Sequence, residues 1–155
     1  MKYLLFLLCL LSALATPALA GDPGEDFWAL VTIRKANWEI DDQTTATAAA
    51  LRANKVTVAA AASKWKELHG KAAQLKAQTL QAQTGAYPNV AKAMTKMMRL
   101  QILRLEGLVA AAKVEQEQGR AAARPMWIKQ VVKMQDYQNQ EALVLDMMNW
   151  IEQNP

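Results

Sequence analysis

The sequence predicts an all-α fold: an antiparallel four-helix bundle with a short first helix and long second and third helices. Three features carry this. Between Asn89 and Glu117 apolar residues recur in heptads, with Ala91, Met98, Leu105 and Ala112 in one core row and Met94, Gln101 and Leu108 in the other. That spacing sets all of them on one helical face. Thr45 to Thr84 keeps the same period, with Leu51, Val58, Trp65, Ala72 and Thr79 in one row and Asn54, Ala61, Leu68, Leu75 and Ala82 in the other. No stretch alternates as a strand does, and the connections are short, which favours antiparallel neighbours.

The first twenty residues read as a cleaved signal peptide. Lys2 gives a basic start, Tyr3 to Leu14 is almost wholly apolar, and Ala18-Leu19-Ala20 is a small-x-small cleavage site. This is the pattern of export, and its form suits a bacterial periplasmic or secreted protein. The alternative, an uncleaved anchor, needs a longer apolar run. Cys9, the only cysteine, lies inside the apolar stretch and leaves with it. Residues 21–155 are then a single helical domain whose stability rests on its core, with no disulfide and no further span.

The first helix is expected from about Gly24 to Ile40, with Phe27, Leu30, Val31 and Trp38 at helical spacing. Arg34 sits inside that face, where a long basic side chain either reaches water or meets a carboxylate. Asp41 to Thr45 reads as a break, with Asp42 or Thr44 capping the second helix. That helix is expected to be continuous with a bend near Gly70, or broken near Asn54. Gly85-Ala86-Tyr87-Pro88 is the clearest punctuation: Gly85 suits a left-handed helix ending and Pro88 a first turn. The third helix ends near Gln118-Gly119. Arg120 to Arg124 reads as linker or frayed turn, and Pro125 starts the last helix, which ends near Glu152. Its apolar face is expected to combine Trp127, Ile128, Val131, Met134, Ala142, Leu145 and Met148.

Charge is segregated. Gln43 to Lys113 holds eleven Lys or Arg against two acids, while the flanking segments are mildly acidic. The third helix carries Lys92, Lys96, Arg99 and Lys113 opposite its core face. On an exported protein a basic face suits a protein partner or an anionic envelope component rather than nucleic acid. A solvated face balanced by acidic neighbours is the plainer explanation. Trp28 and Trp127 join the basic residues as candidate partner contacts, and with Phe27 they are expected to cluster at the end away from the methionines. Aromatic anchors suit interfaces, although they also fill cores.

Counting levels from the turns sets His69 beside about Leu103 and Glu141, and Met94, Met97 and Met98 beside Met147 and Met148. Thioethers bind copper(I), and a histidine with a methionine can hold haem in a bundle. His69 with these five methionines is therefore the ligand set of an alternative reading, a small haem- or copper-binding carrier. Methionine as core filler is the plainer role, and a His69–Glu141 pair is expected instead of ligation. Gln101 and Gln138 interrupt facing apolar stripes and are expected to share a buried polar layer.

Catalysis finds no support. Ser63 is the only serine after residue 20, no His-Glu-x-x-His or Glu-x-x-His spacing occurs, and no Gly-x-Gly loop is present. The sequence thus points to an exported, non-enzymatic helical protein that binds another macromolecule. Accessory, chaperone-like and toxin-neutralising roles all fit. No cofactor is required, the cleaved protein would not be integral to the membrane, and the reading leaves room for a homo-oligomer.

Overall fold

The computed structural model describes residues 22–154, so the signal-peptide assignment lies outside the described residues. Within them the chain forms four α-helices: α1, Pro23–Arg52; α2, Val58–Gln81; α3, Pro88–Gln118; and α4, Arg120–Gln153. A short 3-10 turn, Ala82–Thr84, closes α2. The all-α bundle is as the sequence predicts. No helix among the described residues is long and apolar enough to cross a membrane.

The first helix is not short. It has 30 residues and runs straight through Asp41-Asp42-Gln43-Thr44-Thr45. The expected break fails because the polar groups there are satisfied without ending the helix. Thr44 Oγ1 donates to Ile40 O at 2.7 Å, Thr47 Oγ1 donates to Gln43 O at 2.7 Å, and Asp41 is engaged by α3 rather than by free amides. The cap lies further back, where Asp22 Oδ1 accepts from Gly24 N at 2.9 Å and Pro23 opens the first turn.

α1 ends instead at Arg52, closed by Asn54, whose φ of 54° is left-handed. Asn54 N bonds to Leu51 O and Lys55 N to Ala50 O, the paired pattern that closes a helix through a left-handed residue. Thr57 then caps α2, its Oγ1 accepting from Ala60 N at 3.1 Å. The break near Asn54 was thus legible, and Gly70 lies within α2.

At the next turn Gly85 is extended, with φ −85° and ψ −166°, not left-handed. Its need for glycine is steric: a Cβ there would lie 2.6 Å from Asp26 Oδ2, which accepts from Ala86 N at 2.7 Å. This bond ties the start of α1 to the α2–α3 turn. Gly119 is the single residue between α3 and α4 and takes φ 85°, ψ 168°, a region open to little but glycine. α4 therefore begins at Arg120, and Pro125 sits inside it rather than at its start. The ring removes the N–H that Ala121 O would accept, a loss tolerated because Ala121 is exposed.

α3 is the centre of the packing. It lies closely against both α2 and α4, α1 packs chiefly on α2, and the backbones of α1 and α4 stay apart. All seven heptad positions expected on α3 are buried, joined by Val90, Met97, Arg104 and Ala111 as a third row. Two apolar clusters result. One gathers Leu30, Ile33, Val90, Met94, Met97, Met98, Val144 and Met148; the other gathers Ile40, Trp65, Leu68, Ala72, Leu105 and Leu108.

On α4 the buried face is rotated from the expected one. Ala123, Gln130, Tyr137, Val144 and Met148 are buried, while Ile128 and Val131 are 59% and 68% exposed. Ala142 is exposed as well, and Gln138 points to solvent, so it shares no buried layer with Gln101. The more apolar stripe lost because the other stripe carries Tyr137, whose hydroxyl finds a partner inside the bundle.

Gly70 offers a direct check on α2. It is exposed, and a Cβ there would meet nothing within 4 Å. Gly70→Ala is expected to raise the unfolding free energy by about 0.5–1 kcal/mol through the helix propensity alone, read from urea denaturation.

Candidate functional site

Between the two apolar clusters lies a polar layer. Arg104 of α3 is 4% exposed and forms an ion pair with Asp41 of α1. The same guanidinium reaches Thr45 Oγ1 at 3.3 Å and Gln101 Oε1 at 3.4 Å. It also lies 5.9 Å from the Tyr137 ring centroid, a cation–π geometry. Asn37 Nδ2 donates to Tyr137 Oη at 2.6 Å, and that hydroxyl donates to Glu141 Oε1 at 3.4 Å. Side chains of α1, α3 and α4 thus converge where the backbones of α1 and α4 do not.

The layer shapes its own ionisation. Burial, then the charges of Glu141 and Asp41, push the Tyr137 hydroxyl far above its ordinary range. Burial, then Asp41, raises Glu141, against the pull of Arg34, the Tyr137 hydrogen bond and Arg104. Arg34 is part-buried near this carboxylate, and its Nε, with Asn37 Oδ1 and Gln101 Nε2, is buried without a protein partner.

Beyond the layer, toward the α1–α2 loop and the start of α4, the helices leave a groove of about 1010 Å³. Its floor is Trp65 and Leu108, its walls Ala48 and Leu51 of α1 and Trp127, Ile128, Val131 and Met134 of α4. Trp127 is held firmly. Its Nε1 donates to Glu115 Oε2 at 2.7 Å, and its ring meets Trp65 edge-to-face with centroids 5.9 Å apart. Trp65 Nε1 in turn donates to Thr44 O at 3.4 Å. At the mouth stand Arg52, Lys55, Arg120 and Arg124. None of these four forms a salt bridge among the described residues.

The residues singled out from the sequence are distributed differently from this groove. Lys92, Lys96, Arg99 and Lys113 are all exposed on the outer face of α3, as expected. Lys96 faces Asp136 across a shallow hollow, and Lys113 comes within 3.9 Å of Glu117. Trp127 lies in the groove, but Trp28 is 64% exposed at the opposite end. Phe27 stacks edge-to-face on Trp28 and Tyr87 and packs on the methionine cluster, so the expected grouping of Phe27, Trp28 and Trp127 does not form. The heptad count could not tell which end of the bundle α1 started from once its length was misread.

The methionines do gather: Met94, Met97, Met98 and Met148 are buried together, with Met147 packed against them. Their surroundings are apolar, which is the core-filling role. His69 is not among them. Its Nε2 lies 3.3 Å from Glu106 Oε1 rather than beside Glu141. Glu106 is eight residues beyond Met98, a rise of about 12 Å, so the six residues of the carrier reading do not converge on one point. Among the described residues no three His, Cys, Asp or Glu side chains gather as a metal-binding group.

The sequence reading missed Arg104, Asp41, Asn37 and Tyr137, and the four cations of the mouth. A signal was present: Arg104 falls in the heptad row of Val90, Met97 and Ala111, and Tyr137 in that of Ala123, Gln130 and Val144. Polar residues at such positions ask for a partner.

Removing one member of the buried pair should be costly. Asp41→Ala is expected to lower the unfolding free energy by about 3–5 kcal/mol. Asp41→Leu with Arg104→Met should recover most of that, and a double-mutant cycle without coupling would contradict the pairing. For Glu141, a folded-state pKa above the unfolded value means stability is lost as pH rises through it. Glu141→Gln should therefore raise the melting temperature at neutral pH, with the gain vanishing once the pH falls below the ordinary glutamate value of 4.5.

Comparison of this chain with protein-family models, with curated proteins and with solved structures finds no match in any of the three.

Proposed function

We propose that this chain is an exported, non-enzymatic binding protein that docks a macromolecular partner or an anionic envelope component in the groove between α1 and α4. One observation carries this: apolar side chains of α4 stand open to solvent beside a rim of four cations that form no salt bridge among the described residues. Ile128 is 59% and Val131 68% exposed, and both line the same depression as Trp127. Isolated exposed apolar residues are ordinary, but a contiguous apolar trough with convergent charge is what recognition sites are made of.

The apolar start of the chain supports export, and the cations support an anionic partner. Accessory and chaperone-like roles share these requirements. The outer stripe of α3, Lys92, Lys96 and Arg99, is a second charged surface, yet it lacks the apolar trough that gives a docked group something to bury. The groove is therefore the docking element and the α3 stripe a solvated face.

Native mass spectrometry of protein recovered from its own host separates these surfaces. The protein is expected to carry a bound species that is lost in Ile128→Glu/Val131→Glu and retained in Lys96→Glu/Arg99→Glu. Loss in the α3 variant with retention in the groove variant would transfer the function to the outer face of α3.

A further inference from the structure

We infer that the groove takes a single-chain lipid with an anionic phosphate head, the head at the mouth and the acyl chain along α4. This rests on the groove being the docking element and adds the chemistry of what it holds.

The argument is the segregation of polarity. Arg52, Lys55, Arg120 and Arg124 all belong to the end where the α1–α2 loop meets the start of α4. The acid lining the same space, Glu115, is already bonded to Trp127. None of the four cations pairs with it among the described residues, and one carboxylate against four cations leaves this small region with a surplus of positive charge. Three are arginines, whose planar forks match phosphate oxygens in pairs. Arg120 also stands in the first turn of α4, which contains no acid and has no side-chain cap. A cation there opposes the positive end of its own helix, and a bound anion relieves both.

Away from the mouth the lining turns mainly apolar, its polar members there being Gln130 and Arg104, the latter paired with Asp41. Leu51 faces Trp127, Ile128, Val131 and Met134 over Leu108. Ten residues separate Arg124 from Met134, a rise of about 15 Å, the reach of an extended acyl chain of medium length. The volume, about 1010 Å³, stands at the top of the range for small-ligand sites.

Other occupants fit less well. An amphipathic helix meeting this wall would place its charges along its length, whereas the cations here stand at one end. A second copy docked groove to groove with the mouths together would bring the same four cations into contact, which leaves a second copy only the arrangement with the mouths apart.

The probes are myristoyl lysophosphatidylglycerol below its micelle-forming concentration, monomyristoylglycerol as the chain without the phosphate, and glycerophosphate as the head without the chain. Calorimetric titration of the purified protein should show one lysophosphatidylglycerol bound, about tenfold or more tighter than either half-probe, and weakening with salt. Arg120→Glu/Arg124→Glu and Ile128→Glu/Val131→Glu should each weaken it by about tenfold or more with the helical circular dichroism unchanged. Monomyristoylglycerol binding as tightly would overturn the phosphate head, and glycerophosphate binding as tightly would overturn the acyl chain. Sedimentation showing a dimer that the groove substitutions convert to monomer would make a second copy the occupant and overturn the inference. If the lipid does not bind while the host-derived species is still lost in the groove variant, the lipid assignment falls and the docking groove stands. If neither is seen, both fall.

Discussion

The ion pair between Arg104 and Asp41 is the contact on which the placement of α1 depends. α1 has a poor apolar face: its buried positions are Leu30, Ile33, Asn37, Ile40 and Thr44, two of the five polar. Such a helix gains too little from apolar burial to be fixed by it alone. Its partners must offer hydrogen bonds at matching levels, and they do. Arg104 takes Asp41 and Thr45, while Tyr137 takes Asn37. A buried charge pair adds little net stability over an apolar pair of the same shape, but a slip of α1 by one turn would strand both charges. Register is the property the layer secures.

The rest of the architecture follows from where that layer lies. On one side the methionine-rich cluster closes the bundle, with Asp26 fastening α1 to the α2–α3 turn. On the other side α1 continues as Ala46-Thr47-Ala48-Ala49-Ala50, side chains too short to reach α4 across the separation set by the polar contacts. Trp65 and Trp127 occupy part of the space and Ile128 and Val131 are left uncovered. The groove is thus a consequence of two sequence choices: a polar layer that holds α1 at a distance, and an alanine run that does not fill it. The cations gather there because the break at Asn54 and the turn at Gly119 lie at the same end of the bundle.

How much of this could be read from the sequence varies by helix. α3 was legible in its seven heptad positions and its charged stripe, which agree, but not in the third buried row that carries Arg104. α2 was legible in its buried face, with Trp65, Leu68, Ala72 and Thr79 buried as the period requires, but not in its length: residues 45–57 belong to α1 and the loop after it, so the helix expected to be long is, at 24 residues, the shortest of the four. α1 was misread at Asp41-Asp42-Thr44, where capping residues occur without a cap; only the partner on α3 explains why the helix goes on. α4 offered two stripes, and local hydrophobicity favours Ile128 and Val131. Tyr137 and Gln130 won burial through tertiary contacts that one chain's periodicity does not contain. The groove was illegible for the same reason, since it exists only between helices whose separation the heptads do not state.

Residue-resolved hydrogen exchange on the parent protein and on Arg104→Met tests most directly whether the polar layer holds α1. The account predicts that protection falls selectively in α1, most strongly from Asn37 to Leu51, while the α2–α3–α4 core keeps its protection. Loss spread evenly over all four helices, or α1 protected as before, would contradict it.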